Sequence, residues 1–281
     1  MIRKLKYAIL SDIGTFDLKY YEEGKEEDLI KFCTNYGITY LPDKSRKFAY
    51  KLVNGSFIKT EISDQLKVNP FDLIFDKYTI NKFKEVDHNE IRFIMENDLI
   101  KGVVHIVDYN SHYIGIELFK ALLQFEQNLR DLLIKEKQTN RDFIAWVRKR
   151  AEKEEKKRIR KGVKTKTHWE KRLEQIEPNN ETKREEKKEE RKNASPFQTF
   201  YLRELLHFAI SIKKLDKNDF LLDDISDIRN LLAHNKDITN IKEEGGDTVV
   251  YHFDGLEKFV KQMHQFFKSF EVLQDTLRSF E

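Results

Sequence analysis

The sequence predicts an α+β region at the N-terminus, followed by an all-α region that runs to residue 281. Two residue pairs that accept positive φ, Asn54-Gly55 and Asn97-Asp98, each separate stretches of alternating apolar and polar residues, as in β-hairpins. From Tyr113 onward, the apolar residues recur at helical spacing instead. We therefore expect two domains, comprising residues 1–112 and 113–281.

The N-terminal region contains an internal repeat. The strings DLIKF (28–32) and DLIFD (72–76) begin 44 residues apart, and each is predicted to open a helical stretch that one of the two hairpins follows. Neither half has enough apolar surface to bury a sheet face alone. The repeat therefore predicts two similar halves that pack against each other.

The C-terminal region is predicted to form four core helices, the first beginning near Tyr113 and the second at Ser195-Pro196. Three of these helices carry apolar residues every three or four positions, which indicates a stripe that faces a core. A short strand, TVVYHF, precedes the last helix. The stripes comprise Leu118, Leu122, Phe125, Leu129 and Leu132; Leu221, Ile225, Ile228 and Leu232; and Phe259, Met263, Phe266, Phe267 and Phe270.

A charge-dense insertion, residues 147–193, separates the first two core helices. It holds 19 Lys and Arg against 11 Asp and Glu, whereas the whole chain has a formal net charge of only +3. With few apolar positions, it is predicted to form exposed helices or a mobile arm. Lys164, Lys166 and Trp169 are candidates for RNA binding, because lysines release counterions from phosphates and Trp stacks on bases. The alternative is a solvated charged arm, since glutamates are interleaved throughout.

Composition argues against several classes of protein. The single cysteine, Cys33, excludes an internal disulfide and is predicted to be a buried, inert thiol. The histidines show no His-x3-His spacing and no Gly-rich phosphate loop occurs, so we expect neither a metal site nor ATP hydrolysis. No leader and no apolar run of about 18 residues is found, so we expect a cytoplasmic protein without membrane association.

The string IRNLLAHN (228–235) closes a core helix and contains Arg229, Asn230 and His234. Arg followed by a polar residue, and by His four to six positions later, resembles the HEPN superfamily, over about residues 113–281. The resemblance implies metal-independent RNA cleavage, without a cofactor, at a site formed across a homodimer. It assigns proton transfer at the ribose 2′-hydroxyl or the leaving oxygen to His234, and stabilisation of the phosphorane charge to Arg229. These residue types suit that chemistry.

The spacing of Arg229 and His234 needs an explanation, because positions i and i+5 of a straight helix point about 140° apart. Either the helix ends near Ala233 or a partner subunit supplies the matching residue, and we favour the dimer. Asp227, Asn230 and His234 are then expected to line one polar stripe. The structural alternative is that His234 binds the last carbonyl groups of the helix and Arg229 forms a surface ion pair.

Glu126 and Arg130 lie four positions apart on the first core helix. We favour a structural ion pair at the bundle centre. The alternative is a supporting role, because polar residues of the first helix border the active site in related folds.

The N-terminal repeat resembles a tandem pair of CBS domains. The segment KGVVHIVD contains Gly102-x-x-His105-x-x-Asp108, similar to the family's Gly-x-x-Thr/Ser-x-x-Asp, with His105 in the hydroxyl position. The resemblance implies an adenine nucleotide as regulatory ligand, with Asp108 bound to the ribose hydroxyls. A carboxylate suits a ribose diol because it accepts two hydrogen bonds. The alternative is a pair that only mediates dimerisation.

Together the two resemblances predict a nucleotide-regulated endoribonuclease, of the kind used by bacterial toxins and phage-defence systems. A ligand in the N-terminal cleft would change how the two bundles of a dimer face each other and so open or close the active site. The expected partners are RNA, a second copy of the chain, a nucleotide and an antitoxin. The alternative is a non-catalytic, nucleotide-responsive scaffold that binds RNA or dimerises.

Overall fold

The structure is mixed α+β, with two three-stranded sheets in the N-terminal part and a mainly helical C-terminal part that also contains a two-stranded sheet. The predicted boundary between residues 112 and 113 falls inside the first of two compact units. These units comprise residues 1–122 with 227–267, and residues 123–226 with 268–281. The computed structural model describes residues 2–84, 91–233, 241–244, 248–251 and 253–280, with the side chains at 233, 241–244 and 248–251 left out.

Two three-stranded sheets organise the N-terminal part. The first has the order β1-β2-β3 and is antiparallel throughout. The second has the order β4-β5-β6, with a parallel first pair and an antiparallel second pair. The elements are α1 (Ile2–Lys6), α2 (Leu10–Ile13), α3 (Glu26–Tyr36), β1 (Tyr40–Pro42), β2 (Ala49–Val53), β3 (Ser56–Thr60), β4 (Lys67–Val68), α4 (Lys77–Asn81), β5 (Arg92–Glu96) and β6 (Leu99–Val104).

Both predicted hairpins are confirmed. Strands β2 and β3 are joined by Asn54 and Gly55, whose φ angles are 49° and 77°. Strands β5 and β6 are joined by Asn97 and Asp98, whose φ angles are 52° and 59°. Positive φ at both central residues gives the turn a twist that matches the flanking strands, which is why these residue types occur there.

The two halves pack on a shared core, as predicted. Tyr40 and Ala49 from the first sheet cluster with Phe93 and Ile100 from the second. The rings of Tyr40 and Phe93 meet edge to face, with centroids 5.6 Å apart. Helix α3 covers the first sheet with Cys33, which is buried as predicted, and burial raises the pKa of its thiol to about 11.

The repeat is less regular than the sequence suggests. The string DLIKF lies in α3, but DLIFD forms turns rather than a helix. The backbone N–H of Leu10 donates to the carbonyl of Asp72 (2.9 Å), so this segment is held by α2. The Asp76 carboxylate accepts a hydrogen bond from the N–H of Tyr78 (2.8 Å) and caps α4. This helix therefore begins at Lys77, after the string has ended.

Long helices form the C-terminal part, and their apolar stripes are largely as predicted. The stripes of α5 and α11 are buried, but Leu221 is exposed because it precedes α10. Helix α9 begins at Leu202 rather than at Ser195, because residues 195–200 form turns. The elements are α5 (His112–Lys135), α6 (Asn140–Arg160), α7 (His168–Ile176), α8 (Glu181–Asn193), α9 (Leu202–Ser211), α10 (Leu222–Ala233), β7 (Ile241–Glu244), β8 (Thr248–Tyr251) and α11 (Phe253–Arg278).

The charge-dense insertion forms helices, so the mobile arm that was one of its two predicted forms is wrong. It comprises most of α6, together with α7 and α8, and α7 packs against α6. The Arg158 guanidinium donates to both carboxylate oxygens of Glu170, at 2.8 to 3.0 Å, and joins these two helices. Arg172 on α7 donates to Glu204 on α9 at 2.9 Å in a buried ion pair. The predicted strand TVVYHF is confirmed as β8, which pairs with β7.

Candidate functional site

Helix α10 carries two of the three predicted catalytic residues, Arg229 and Asn230, and both are exposed. Ile225 and Ile228 are fully buried, whereas Arg229 and Asn230 are exposed. Each helical residue is rotated by about 100° from the one before it, so Asn230 lies nearly opposite the buried face, whereas Arg229 lies about 40° from Ile225, at the edge of that face. The apolar pattern therefore accounts for the exposure of Asn230, and Arg229 reaches solvent from the border of the buried face.

The polar groups of Arg229 and Asn230 are unpaired in the part of the chain that the structure describes. There, the Arg229 guanidinium forms no ion pair and the Asn230 amide makes no side-chain hydrogen bond. A guanidinium is always charged and presents five N–H donors, and an amide presents two more. As far as the described residues go, this end of α10 can therefore bind an anionic oxygen without first losing an internal contact.

Asp227 precedes this pair and contacts helix α11. The Nε2 of Gln262 donates to Asp227 Oδ2 at 3.3 Å, and Lys258 Nζ lies 3.7 Å from the same oxygen. An exposed ion pair of this kind contributes at most about 1 kcal/mol. Asp227 therefore helps to hold α10 against α11, which is a positioning role.

His234, the third predicted catalytic residue, lies outside the described residues. The described part of helix α10 runs from Leu222 to Ala233. Both explanations for the spacing of Arg229 and His234, a helix that ends near Ala233 and a matching residue from a partner subunit, therefore stay predictions.

Glu126 and Arg130 form the ion pair that the sequence predicts. Arg130 Nε also donates to the carbonyl of Phe197 at 3.5 Å, and the Arg130 side chain is only 16% exposed. The Phe197 N–H in turn donates to Asn140 Oδ1 at 2.8 Å. The ion pair therefore fixes the turn before α9, which favours the structural interpretation.

The Gly102-x-x-His105-x-x-Asp108 motif forms the end of β6 and the start of a short 3-10 helix. The carboxylate of Asp108 accepts from the N–H of His105 at 2.8 Å, and the N–H of Val107 donates to His105 Nδ1 at 3.1 Å. A Cβ at Gly102 would lie 2.8 Å from the carbonyl oxygen of Thr15. Each motif residue thus has a local structural role besides the nucleotide contact that the resemblance implies.

Burial raises the pKa of Asp108 to about 6, and the hydrogen bond from the His105 N–H opposes the shift. A carboxyl group with this pKa changes protonation state just below neutral pH. A polyhydroxyl ligand that donates to the ionised form would lower the pKa again.

The predicted RNA-binding residues, Trp169 on α7 and Lys164 and Lys166 just before it, do not form one exposed surface. Trp169 is only 6% exposed, and its ring packs 5.0 Å from that of Trp146, so it cannot stack on a base, contrary to the prediction. Trp169 lies on the side of α7 that meets α6. Lys164 and Lys166 are both exposed, and Lys166 pairs with Glu174.

Sequence reasoning missed a cluster of cations and aromatic rings around His207 on α9. The His207 and Trp169 rings lie 5.9 Å apart, and the Arg150 guanidinium is 4.9 Å from the Trp169 centroid. Burial, and then the charges of Arg150 and Arg203, lower the pKa of His207 to about 4. The available signal was the spacing of Arg203 and His207, since residues four apart share a helix face.

No protein-family model, curated protein or solved structure matches the chain. The HEPN and CBS resemblances therefore depend on the motif residues alone. Within the described residues, His, Cys, Asp and Glu side chains form no group of three or more that could hold a metal ion. Of the described helices, none is both long and apolar enough to cross a bilayer.

Proposed function

We propose that this protein is a metal-independent endoribonuclease in which Arg229, Asn230 and His234 act on the phosphodiester. One observation carries the proposal: Arg229 and Asn230 are exposed and unpaired, within the described part of the chain, five and four positions before His234 in the sequence. The resemblance of this motif to HEPN ribonucleases supplies the reaction class.

The proposed reaction is an internal transesterification. The ribose 2′-oxygen attacks phosphorus, the bond from phosphorus to the 5′-oxygen breaks, and the products carry a 2′,3′-cyclic phosphate and a 5′-hydroxyl. The 2′-hydroxyl gives up one proton and the 5′-oxygen gains one. His234 serves one of these transfers, and Arg229 and Asn230 donate hydrogen bonds to the phosphorane oxygens.

The cleavage assay uses labelled single-stranded RNA in EDTA. We expect His234→Ala to lower the rate by about 10²-fold or more and Arg229→Ala by a similar factor. His112→Ala is the matched control, because His112 is exposed at the start of α5. Binding without cleavage by the wild type would support the scaffold alternative. Cleavage that survives both substitutions would exclude this site.

Nucleotide regulation is the second part of the proposal. It is supported by the Gly102-x-x-His105-x-x-Asp108 motif and by a carboxyl group that titrates near neutral pH. We expect an adenine nucleotide to raise the melting temperature of the wild type but not of Asp108→Asn. If no adenine nucleotide shifts the wild type, the N-terminal pair is a structural module. The homodimer stays a prediction, which a molar-mass measurement in solution tests.

A further inference from the structure

Helix α6 borders a groove of about 720 Å³, which the C-terminal end of α9 closes on one side. The lining residues of α6 recur at intervals of three and four, so they form one stripe along the helix. Three lysines lie on this stripe, Lys149, Lys153 and Lys157, and all three are exposed. We refer to them as the lysine row.

The positive charge of the lysine row is not balanced by the acidic residues of the groove. In the described part of the chain, none of the three ammonium groups forms an ion pair. Lys153 has only Lys and Arg at the positions three and four residues away in either direction. The groove also contains Arg150, and its acidic residues are Asp142 and Glu154, so cations are in excess.

Several other cations of the same insertion are paired. On α8, Lys187, Lys188 and Lys192 each pair with a glutamate three residues away. On α6 itself, Arg148 pairs with Glu177 and Arg158 pairs with Glu170. What distinguishes the lysine row is that its three lysines, unpaired among the described residues, lie on one helix face beside a groove.

The spacing of the row fits a polyanion with a regular repeat. Residues four apart on a helix are separated by about 6 Å along its axis and lie on one face. This interval is comparable to the distance between neighbouring phosphates of an extended nucleic-acid strand. An acidic helix can present carboxylates at a similar interval, so the choice of a nucleic acid rests on the aromatic ring beside the row.

An aromatic ring lies at one end of the row. Trp146 is half-buried and lines the groove, and its ring packs against Trp169 (5.0 Å) and Phe208 (5.5 Å). The Arg150 guanidinium sits 5.4 Å from the Trp146 centroid. The ring is thus held in place before any ligand arrives, which lowers the entropic cost of stacking a base on it.

We propose that this groove binds single-stranded RNA, with successive phosphates on Lys149, Lys153 and Lys157 and a base stacked on Trp146. The inference names a substrate-binding surface for the proposed ribonuclease. It is tested by binding rather than by cleavage, so the RNA-binding groove and the proposed ribonuclease activity can fail separately.

The experiment measures fluorescence anisotropy of a labelled 2′-O-methyl RNA strand of about 12 nucleotides, within the range of known single-strand sites. This strand lacks the 2′-hydroxyl, so cleavage does not interfere. The test variant is Lys149→Gln, Lys153→Gln, Lys157→Gln. The matched control is Lys187→Gln, Lys188→Gln, Lys192→Gln, which removes the same charge from α8.

We expect the groove variant to raise Kd by about tenfold or more, and the control to change Kd by less than about twofold. The slope of log K against log salt should fall in magnitude by about 2, because three phosphate contacts are lost. Trp146→Phe, which keeps an aromatic ring for packing, should weaken binding by a smaller factor. Equal weakening by both triple variants, or competition by polyglutamate as strong as that by RNA, would overturn the proposal.

Discussion

The segment from Gly102 to Asp108 and the lysine row of α6 differ in how their polar groups are used. In the segment, the Asp108 carboxylate and the His105 ring accept hydrogen bonds from backbone N–H groups of the same turn. In the lysine row, three ammonium groups face a groove without an ion pair among the described residues. A sequence motif therefore does not by itself supply a free binding group, because hydrogen bonds within the local structure can already occupy its polar atoms.

The largest expected loss of stability comes from breaking the buried ion pair of Arg172 and Glu204. Arg172→Ala leaves the Glu204 carboxylate, which is 4% exposed, without its partner, and we expect a loss of about 3–5 kcal/mol in the free energy of unfolding. Urea denaturation measures it. The double variant Arg172→Met, Glu204→Leu should recover much of this loss. A loss below about 1 kcal/mol for Arg172→Ala would show that the pair is hydrated in solution.

Gly102→Ala tests whether the first motif residue is structural. The added Cβ would lie 2.8 Å from a backbone oxygen and 2.9 Å from the Phe16 ring. We therefore expect the free energy of unfolding to fall by about 1–3 kcal/mol. Gly115→Ala, in α5, is the control, because no atom lies within 4 Å of its Cβ. That change should be neutral or stabilise by up to about 1 kcal/mol. Equal effects of the two substitutions would contradict the close contact at Gly102.

Asp108→Asn tests the buried carboxyl group through pH. The pKa of Asp108 is raised to about 6 in the folded protein, so its contribution to stability is present below its ordinary pKa and is lost as the pH rises through 6. As the pH rises from 4 to 7, we expect the free energy of unfolding of Asp108→Asn to increase by about 1–2 kcal/mol relative to that of the wild type, after allowance for solvent screening. Paired denaturation curves measure the gain. A pH-independent difference would contradict the raised pKa.

The smallest expected effect is that of Lys153→Gln on stability. Because the Lys153 ammonium group is exposed and unpaired among the described residues, its loss should change the free energy of unfolding by less than about 0.5 kcal/mol. Urea denaturation at neutral pH measures it. A larger loss would mean that Lys153 stabilises the fold and would weaken the contrast with Asp108.

The sequence predicted those features that depend on neighbouring residues. Both hairpins follow from turn pairs that accept positive φ, and the buried stripes of α5 and α11 follow from apolar spacing. The predicted helix starts at Asp72 and Ser195 were wrong because contacts distant in sequence decide those segments. Asp72 is bound to Leu10, and the turn after Ser195 is held by Asn140 and Arg130.

The candidate sites were predictable to different extents. The exposure of Asn230 follows from the buried Ile225 and Ile228 on the same helix, whereas that of Arg229 does not, because Arg229 lies about 40° from Ile225 around the helix. The burial of Trp169 does not follow from its charge-dense surroundings, because it depends on α7 packing against α6. The lysine row could have been found from its spacing of four residues, but the groove beside it is formed by α9, which is distant in sequence.

The chemical ends of the RNA products test the proposed reaction most directly. Single-stranded RNA is incubated with the protein in EDTA, and the fragments are analysed by mass spectrometry, beside a 2′-O-methyl strand and the His234→Ala variant. We expect 2′,3′-cyclic phosphate and 5′-hydroxyl ends from the wild type, no cleavage of the 2′-O-methyl strand, and loss of the fragments with His234→Ala. Cleavage of the 2′-O-methyl strand, or fragments with 5′-phosphate ends, would contradict a reaction through the ribose 2′-oxygen.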